Sequence, residues 1–202
     1  MTTPSTPPSA TADLLWPSPQ PIWQAAAEEV VSAVSPRLSG PWRLLLLGDG
    51  SPTRHLQSLT GIEVTVEVIA MAADADPGRE APVEVAELDQ PLLRRQVWLR
   101  CGAQTLAWAE SWWNQQEAEQ HLKQRNQPIW RSLTAERAEL YREVDGLALV
   151  EAPALQQGFG REGPYWSRHY RFFRGGRELT VIREVFSPQL EHWLGPAAHT
   201  AS

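Results

Sequence analysis

Two charged residues stand where strand alternation calls for apolar side chains. In "LTVIREVFSP" (179–188), alternation places Ile182, Glu184 and Phe186 on one face and Val181, Arg183 and Val185 on the other. In "LLRRQVWLRC" (92–101), Leu93, Arg95, Val97, Leu99 and Cys101 share a face, with Arg94, Gln96, Trp98 and Arg100 opposite. A charge among such neighbours is costly unless it is paired and hydrogen-bonded. Three accounts are open. Arg95 and Glu184 form structural ion pairs, with each other or with unrelated groups; both reach water at a sheet edge; or both line a cavity. In a cavity, an Arg holds a carboxylate fork to fork, and a Glu holds or exchanges a proton on a hydroxyl.

Other stretches offer less chemistry. "LLGDGSP" lacks the terminal Lys-Ser/Thr of a phosphate loop and follows a helical run, so it reads as a turn. The backbone N–H groups that open the next helix, after Ser51, can still receive an anion. "GFGREG" (158–163) reads as a loop, and Asp145 and Glu151 show no glycosidase-like pairing with Glu184. Cys101 is the only cysteine, which excludes an internal disulfide. His55, His121, His169, His192 and His199 lack the i, i+4 spacing of a helical zinc site, so the chain is expected to be metal-free. The Trp residues suit core packing, pocket walls or a partner surface.

The positioning elements follow from periodicity. "IWQAAAEEVVSAVS" (22–35) predicts a helix. "LLLL" (44–47) predicts a buried helical turn, broken by "GDGSP"; Ser51 or Asp49 then caps a short helix from Pro52 to Ser58, ended by Gly61. "IEVTVEVIAMA" (62–72) predicts a half-buried antiparallel strand. Beyond the polar loop "ADADPGREAP", "PLLRRQVWLRC" and "TLAWAESWW" predict two strands around "GAQ". "QQEAEQHLKQRNQP" predicts a polar helix stopping before Pro128, and a strand follows Ala138. "YWSRHYRFF" and "RELTVIREVF" flank "RGG" as a hairpin. Helices first, then strands adjacent in sequence, make an α+β fold with a predominantly antiparallel sheet.

At 202 residues the chain suits one domain. A net charge of -6 and a pI near 5.4 argue against nucleic acid or an anionic membrane as partner. A small anionic ligand held by local Arg or N–H groups remains compatible. No apolar run approaches the roughly 20 residues that span a bilayer. "MTTPSTPPSATADLLWPSPQP" has neither the apolar middle of a secretory signal nor the arginines of a transit peptide. The expectation is a cytoplasmic protein with a disordered or loosely docked arm over 1–21, a body over 22–190 and a tail over 191–202.

Four segments, taken in order, resemble the chorismate lyase (chorismate pyruvate-lyase) family: "LLLLGDGSPTR" (44–54), "RRQVWLRCGAQTLAWAES" (94–111), "LKQRNQPIWRSL" (122–133) and "GPYWSRHYRFFRGGRELTVIREVFSP" (163–188). The resemblance implies conversion of chorismate to 4-hydroxybenzoate and pyruvate, without a cofactor, for ubiquinone or plastoquinone head groups. It also implies a monomer with an antiparallel sheet and two helical flaps over a buried ligand. By this resemblance Arg95 grips the ring carboxylate, together with the main-chain N–H groups of Ser51 and Ile129, and Glu184 meets the ring 4-hydroxyl. Ser51 stands where relatives carry Met, Ile129 replaces Leu, and Trp130 replaces a small residue, changes that bear on how the lid seals. Arg54, Arg131 and Arg168 are candidates for the enolpyruvyl carboxylate. Two other functions stay in view: a non-enzymatic sensor of small aromatic acids with the same fold, and a partner-binding protein that uses exposed Trp residues and needs no cavity. The sensor would ordinarily carry a DNA-binding domain, for which residues 1–40 are too Pro-rich and too poor in Lys and Arg.

Overall fold

A computed structural model describes residues 15–29, 38–134 and 139–197. Seven strands form one sheet: β1 (Gln20–Ala26), β2 (Val64–Ala73), β3 (Leu92–Cys101), β4 (Gln104–Asn114), β5 (Tyr141–Glu151), β6 (Tyr165–Arg174) and β7 (Arg177–Phe186). Their order is β1-β5-β6-β7-β4-β3-β2, and every pair is antiparallel. The α+β expectation holds. The helices are α1 (Gly40–Leu47), α2 (Pro52–Thr60), α3 (Gln115–His121), α4 (Ile129–Thr134), α5 (Pro153–Phe159) and α6 (Glu191–Leu194).

Local chemistry accounts for many boundaries. Asn114 caps α3 by accepting from the Gln116 and Glu117 N–H groups at 2.9 and 3.4 Å. Pro52 opens α2, and Gly61, at φ 71°, closes it. Gly175 and Gly176 both adopt positive φ, which a two-residue turn of type I′ requires, and β6 returns directly as β7.

Each face of the sheet buries its own core. On one, Val97, Leu99, Ala107 and Phe186 pack beneath Trp42, Leu45 and Leu46 of α1 and Leu56 of α2. Further along that face, Trp113, Tyr170 and Ile182 lie against Ala118 of α3 and Leu133 of α4. On the other face, Trp98, Trp108 and Val185 meet Leu155 and Phe159 of α5, with Trp16 edge-on to Trp98 at 5.6 Å. No helix among the described residues is long and apolar enough to cross a membrane.

Three elements differ from expectation. Residues 22–26, read as the start of a helix, belong to β1, which pairs with β5 and sets Trp23 edge-on to Trp166 at 5.9 Å. Pairing with the sheet edge overrides the helical preference of the alanines there; residues 27–29 are helical as expected, and 30–35 lie outside the described residues. The polar helix ends at His121 rather than before Pro128. Its expected continuation is irregular because the carbonyls of Arg125 and Gln127 turn towards Arg95. Residues 158–159, read as loop, finish α5 before Gly160 at φ 65°. Residues 1–14 of the expected arm and 198–202 of the tail are outside the described residues. Within the arm, the Trp16 N–H donates to Gln96 at 2.7 Å; near the C-terminus, the Gly195 carbonyl accepts from Trp42 Nε1 at 2.9 Å.

Candidate functional site

A pocket opens at the seam between the α1–α2 core and the α3–α4 core, with Arg95 and Glu184 both in its wall. The sheet supplies an apolar floor that includes Val97, Leu99, Ala109 and Ile182. Ser51 and Thr53 at the start of α2, and Pro128 and Ile129 at the start of α4, lie over it. The cavity volume is about 40 Å³, within about 470 Å³ of empty space that includes open solvent. Register sets the spacing of the two charges. Arg95 pairs with Ser111, Ser111 pairs with Ile182, and Glu184 lies two residues beyond Ile182. Their backbones are therefore about 10 Å apart across the strands and about 7 Å along them. Side chains so placed can reach towards opposite ends of a small ligand lying between them.

Arg95 is 2% exposed, yet no carboxylate among the described residues pairs with it. Its Nη2 donates to the Arg125 carbonyl at 2.6 Å and more distantly to that of Gln127 at 3.5 Å. Its Nε is buried without a hydrogen-bond partner. Burial alone drives its pKa down from 12.5 to about 10. A buried cation lacking an anion is the arrangement that favours binding of one.

Glu184, 1% exposed, is held from two sides. Arg168 Nε donates to Oε2 at 2.8 Å and the Tyr170 hydroxyl to Oε1 at 2.7 Å. Both oxygens accept, the pattern that suits the carboxylate. Burial, reinforced by the Glu184 charge, raises the Tyr170 pKa, so the phenol keeps its proton and continues to donate. Arg168 is itself fully buried, and its Nη1 donates to the carbonyls of Leu45 and Gly48 at 3.0 and 2.8 Å. One guanidinium thus ties Glu184 to the C-terminal end of α1, where carbonyls lack helical partners.

The structural ion-pair account is met in part: Glu184 pairs with Arg168, and Arg95 pairs with no carboxylate among the described residues. The sheet-edge account fails for both, because β3, β4 and β7 are interior strands. Of the three arginines considered for a second carboxylate, Arg168 is consumed by Glu184. Arg131 reaches Glu63 at 3.5 Å on the exterior, and Arg54 is on the exposed side of α2. Ser51 occupies the N-cap of α2; its hydroxyl bonds to that of Thr53 at 2.8 Å and makes no capping bond. The side chain of Trp130 lies outside the described residues.

Sequence reasoning missed two pocket residues. Tyr170 sits one strand over from Ile182 in direct register. Arg142, on β5, enters the pocket from the opposite side to Arg95 and lies over the Tyr170 and Phe172 rings at 4.5 and 4.6 Å. The alternation of "YRFF" would place Tyr170 with Phe172, but an Arg in "YREVDGL" carries no comparable signal. On the far face, Glu110 is clasped by Arg94 and Arg183, whose Nε atoms donate to it at 2.9 and 2.6 Å. Among the described residues, no group of three or more His, Cys, Asp or Glu is placed to hold a metal ion.

The family model for chorismate pyruvate-lyases of the Rv2949c-like type matches residues 46–194, which include every pocket residue named above. The chain belongs to that family. Uncharacterized protein ycf21 of Porphyra purpurea is 31% identical over 153 residues, covering 75% of this chain and 83% of its own. The protein of the same name in Cyanophora paradoxa is 29% identical over 157 residues, covering 73% and 77%. Among solved structures, the effector domain of PhnF from Mycobacterium smegmatis superposes with a TM-score of 0.53 at 14% identity, covering 71% of this chain and 92% of that one. Full-length PhnF gives 0.54 at 13% identity, covering 77% and 70%. At such identities the likeness establishes a shared fold with the PhnF effector domain and nothing more.

Proposed function

We propose that the protein is a chorismate lyase, releasing 4-hydroxybenzoate and pyruvate from chorismate. The observation that carries this proposal is the pairing of opposites in one pocket: a buried Arg95 lacking an anion, and a Glu184 carboxylate already steadied by Arg168 and Tyr170. Family membership supplies the substrate class. The ring carboxylate takes the Arg95 guanidinium and the N–H groups of Ser51 and Ile129, which sit at helix starts where such groups have no helical partner. The starts of α2 and α4 serve as the two flaps. The C4 hydroxyl donates to Glu184.

In the reaction the C3–O bond breaks and its electron pair leaves with the enolpyruvyl oxygen. C4 loses a proton, and the pair it leaves behind closes the C3–C4 double bond and completes the aromatic ring. The departing enolpyruvate gains one proton at its methylene carbon and becomes pyruvate, so no oxidant or reductant is required. Aromatisation supplies the driving force, and the protein's contribution is orientation and exclusion of water. Orientation can remove about 7–11 kcal/mol of a barrier at best. Glu184 fixes C4 and lies beside the proton to be lost.

Purified protein incubated with chorismate should yield pyruvate and 4-hydroxybenzoate in equal amounts. The structural likeness to the PhnF effector domain favours one competing function, an aromatic-acid binder without turnover. Saturable binding with neither product formed would establish that function instead. Neither binding nor product would overturn the pocket assignment. The proposal carries with it a cytoplasmic monomer supplying 4-hydroxybenzoate to quinone head groups, checked by solution mass and by restoration of quinone synthesis in cells lacking the lyase.

A further inference from the structure

Chorismate carries two carboxylates, and the site so far described receives one. The second, on the enolpyruvyl group, hangs from C3, next to the hydroxyl-bearing C4 and away from the ring carboxylate at C1. Its receptor must therefore lie at the Glu184 end of the pocket, beside rather than behind that residue. The receptor also needs a positive charge not already neutralised within the fold.

Arg142 meets these conditions. Its guanidinium lies over the ring of Tyr170, whose hydroxyl is the one bonded to Glu184, so it is placed at that end of the pocket. Nη1 donates to the carbonyls of Asp49 and Gly50, in the loop before α2. No carboxylate among the described residues pairs with it, and its Nε is buried with no hydrogen-bond partner. The Nη1 bonds and the two aromatic rings beneath hold the guanidinium plane in place. The edge formed by Nε and Nη2 remains for a carboxylate to approach with two parallel bonds. Arg142 and Ser51 also line an outer cleft, which places the guanidinium between the pocket and an exit.

Building on the lyase assignment, we propose that Arg142 holds the enolpyruvyl carboxylate of the substrate and the carboxylate of the departing pyruvate. The two arginines then divide the labour: Arg95 grips what remains as 4-hydroxybenzoate, and Arg142 grips only what leaves. The consequence is a separation that a merely structural Arg142 would not produce.

The test compares wild type, Arg142→Met and Arg142→Lys by chorismate turnover and by titration with 4-hydroxybenzoate. Losing a charge-assisted bidentate contact should raise KM for chorismate by about tenfold or more in Arg142→Met. Affinity for 4-hydroxybenzoate should stay within about twofold of wild type, which also reports that the variant is folded. Arg142→Lys, which keeps the charge but loses the fork, should fall between the two in KM. An unchanged KM in either variant, or an equal loss of chorismate and 4-hydroxybenzoate affinity, overturns the assignment of Arg142. If Arg142→Met does not fold, the KM of Arg142→Lys relative to its 4-hydroxybenzoate affinity decides in the same way. Absence of turnover in the wild type would instead defeat the lyase assignment, so the two failures are distinguishable.

Discussion

Replacing Arg95 with Met should leave the empty protein at least as stable while destroying its grip on 4-hydroxybenzoate. The guanidinium is buried with no anion among the described residues, and burial lowers its pKa from 12.5 to about 10. That difference corresponds to roughly 3 kcal/mol of lost solvation in the folded state. Against this, the substitution forfeits the charge-assisted bond to the Arg125 carbonyl, about 1.5–3 kcal/mol, while the 3.5 Å contact to Gln127 adds little. Met fills much of the same volume without charge. The balance favours the variant by at most about 1.5 kcal/mol, or up to about 3–6 °C in Tm for a chain of this size. Ligand affinity should move the other way: one charge-assisted bond is worth about 1.5–3 kcal/mol, so Kd rises at least about tenfold. Calorimetric scans of both proteins, with and without 4-hydroxybenzoate, measure both quantities. Unchanged affinity refutes the grip outright. A Tm several degrees lower, with affinity intact, would make Arg95 a strut for residues 122–128 instead.

Glu184→Gln keeps the shape of the side chain and one acceptor for Arg168 or Tyr170, so kcat should fall at least about tenfold while 4-hydroxybenzoate binding weakens less; full turnover would reduce Glu184 to a binding role. His55, near Arg168 and Glu184, has its pKa lowered from 6.5, first by burial and then by Arg168, and its Nδ1 is buried without a partner. Below pH 6.5 the unfolded chain binds a proton that the folded chain resists, so stability is lost as pH falls. The Tm of wild type relative to His55→Gln should hold steady from pH 8 to 7 and decline from pH 6.5 to 5; parallel profiles would exclude this role. Glu178 shifts oppositely, raised to about 7 mainly by burial, with one carboxyl oxygen left without a partner. Here the unfolded chain releases its proton first, so stability falls as pH rises from 4.5 to 7. Glu178→Gln should therefore raise Tm at pH 8 and leave it unchanged at pH 4.5, and a gain at both would point to packing instead.

Strands were legible wherever one face was apolar. β2, β3, β4 and β7 all alternate, and the paired glycines between β6 and β7 permit little but a hairpin. β1 was not, because "QPIWQAA" has little alternation and too much alanine; only the open edge of β5, a feature of the assembled sheet, makes it a strand. The length of α3 was hidden for a similar reason. What stops it is the demand of a buried guanidinium for carbonyls, and that guanidinium lies some twenty to thirty residues earlier in the chain.

The site shows where local reading ends. Alternation picks out Arg95 and Glu184 as charges on apolar faces, and it does so because each strand's own period is two. It cannot say which residue on β6 meets Glu184. A two-residue turn at Gly175–Gly176 pairs Arg174 with Arg177, and counting outward from there sets Arg168 opposite Arg183 and Ser167 opposite Glu184. The structure instead contains a bulge between Phe172 and Phe173, after which every pair shifts by one and Arg168 meets Glu184. A single-residue slip exchanges the faces of a strand. Without the bulge, Arg168 and Tyr170 would face the Arg183 side of the sheet, and Glu184 would lie buried opposite a serine. The one extra residue on β7 thus sets the register that delivers a counter-ion and a phenol to the carboxylate. The extra residue is Leu179 of β7, which lies between Glu178 and Thr180, the partners of Phe173 and Phe172. Deleting it makes the ladder regular with Arg168 still opposite Glu184, so chorismate turnover should survive that deletion; its loss in protein that keeps the strand signature by circular dichroism would mean that the bulge itself, and not the register it sets, holds the site.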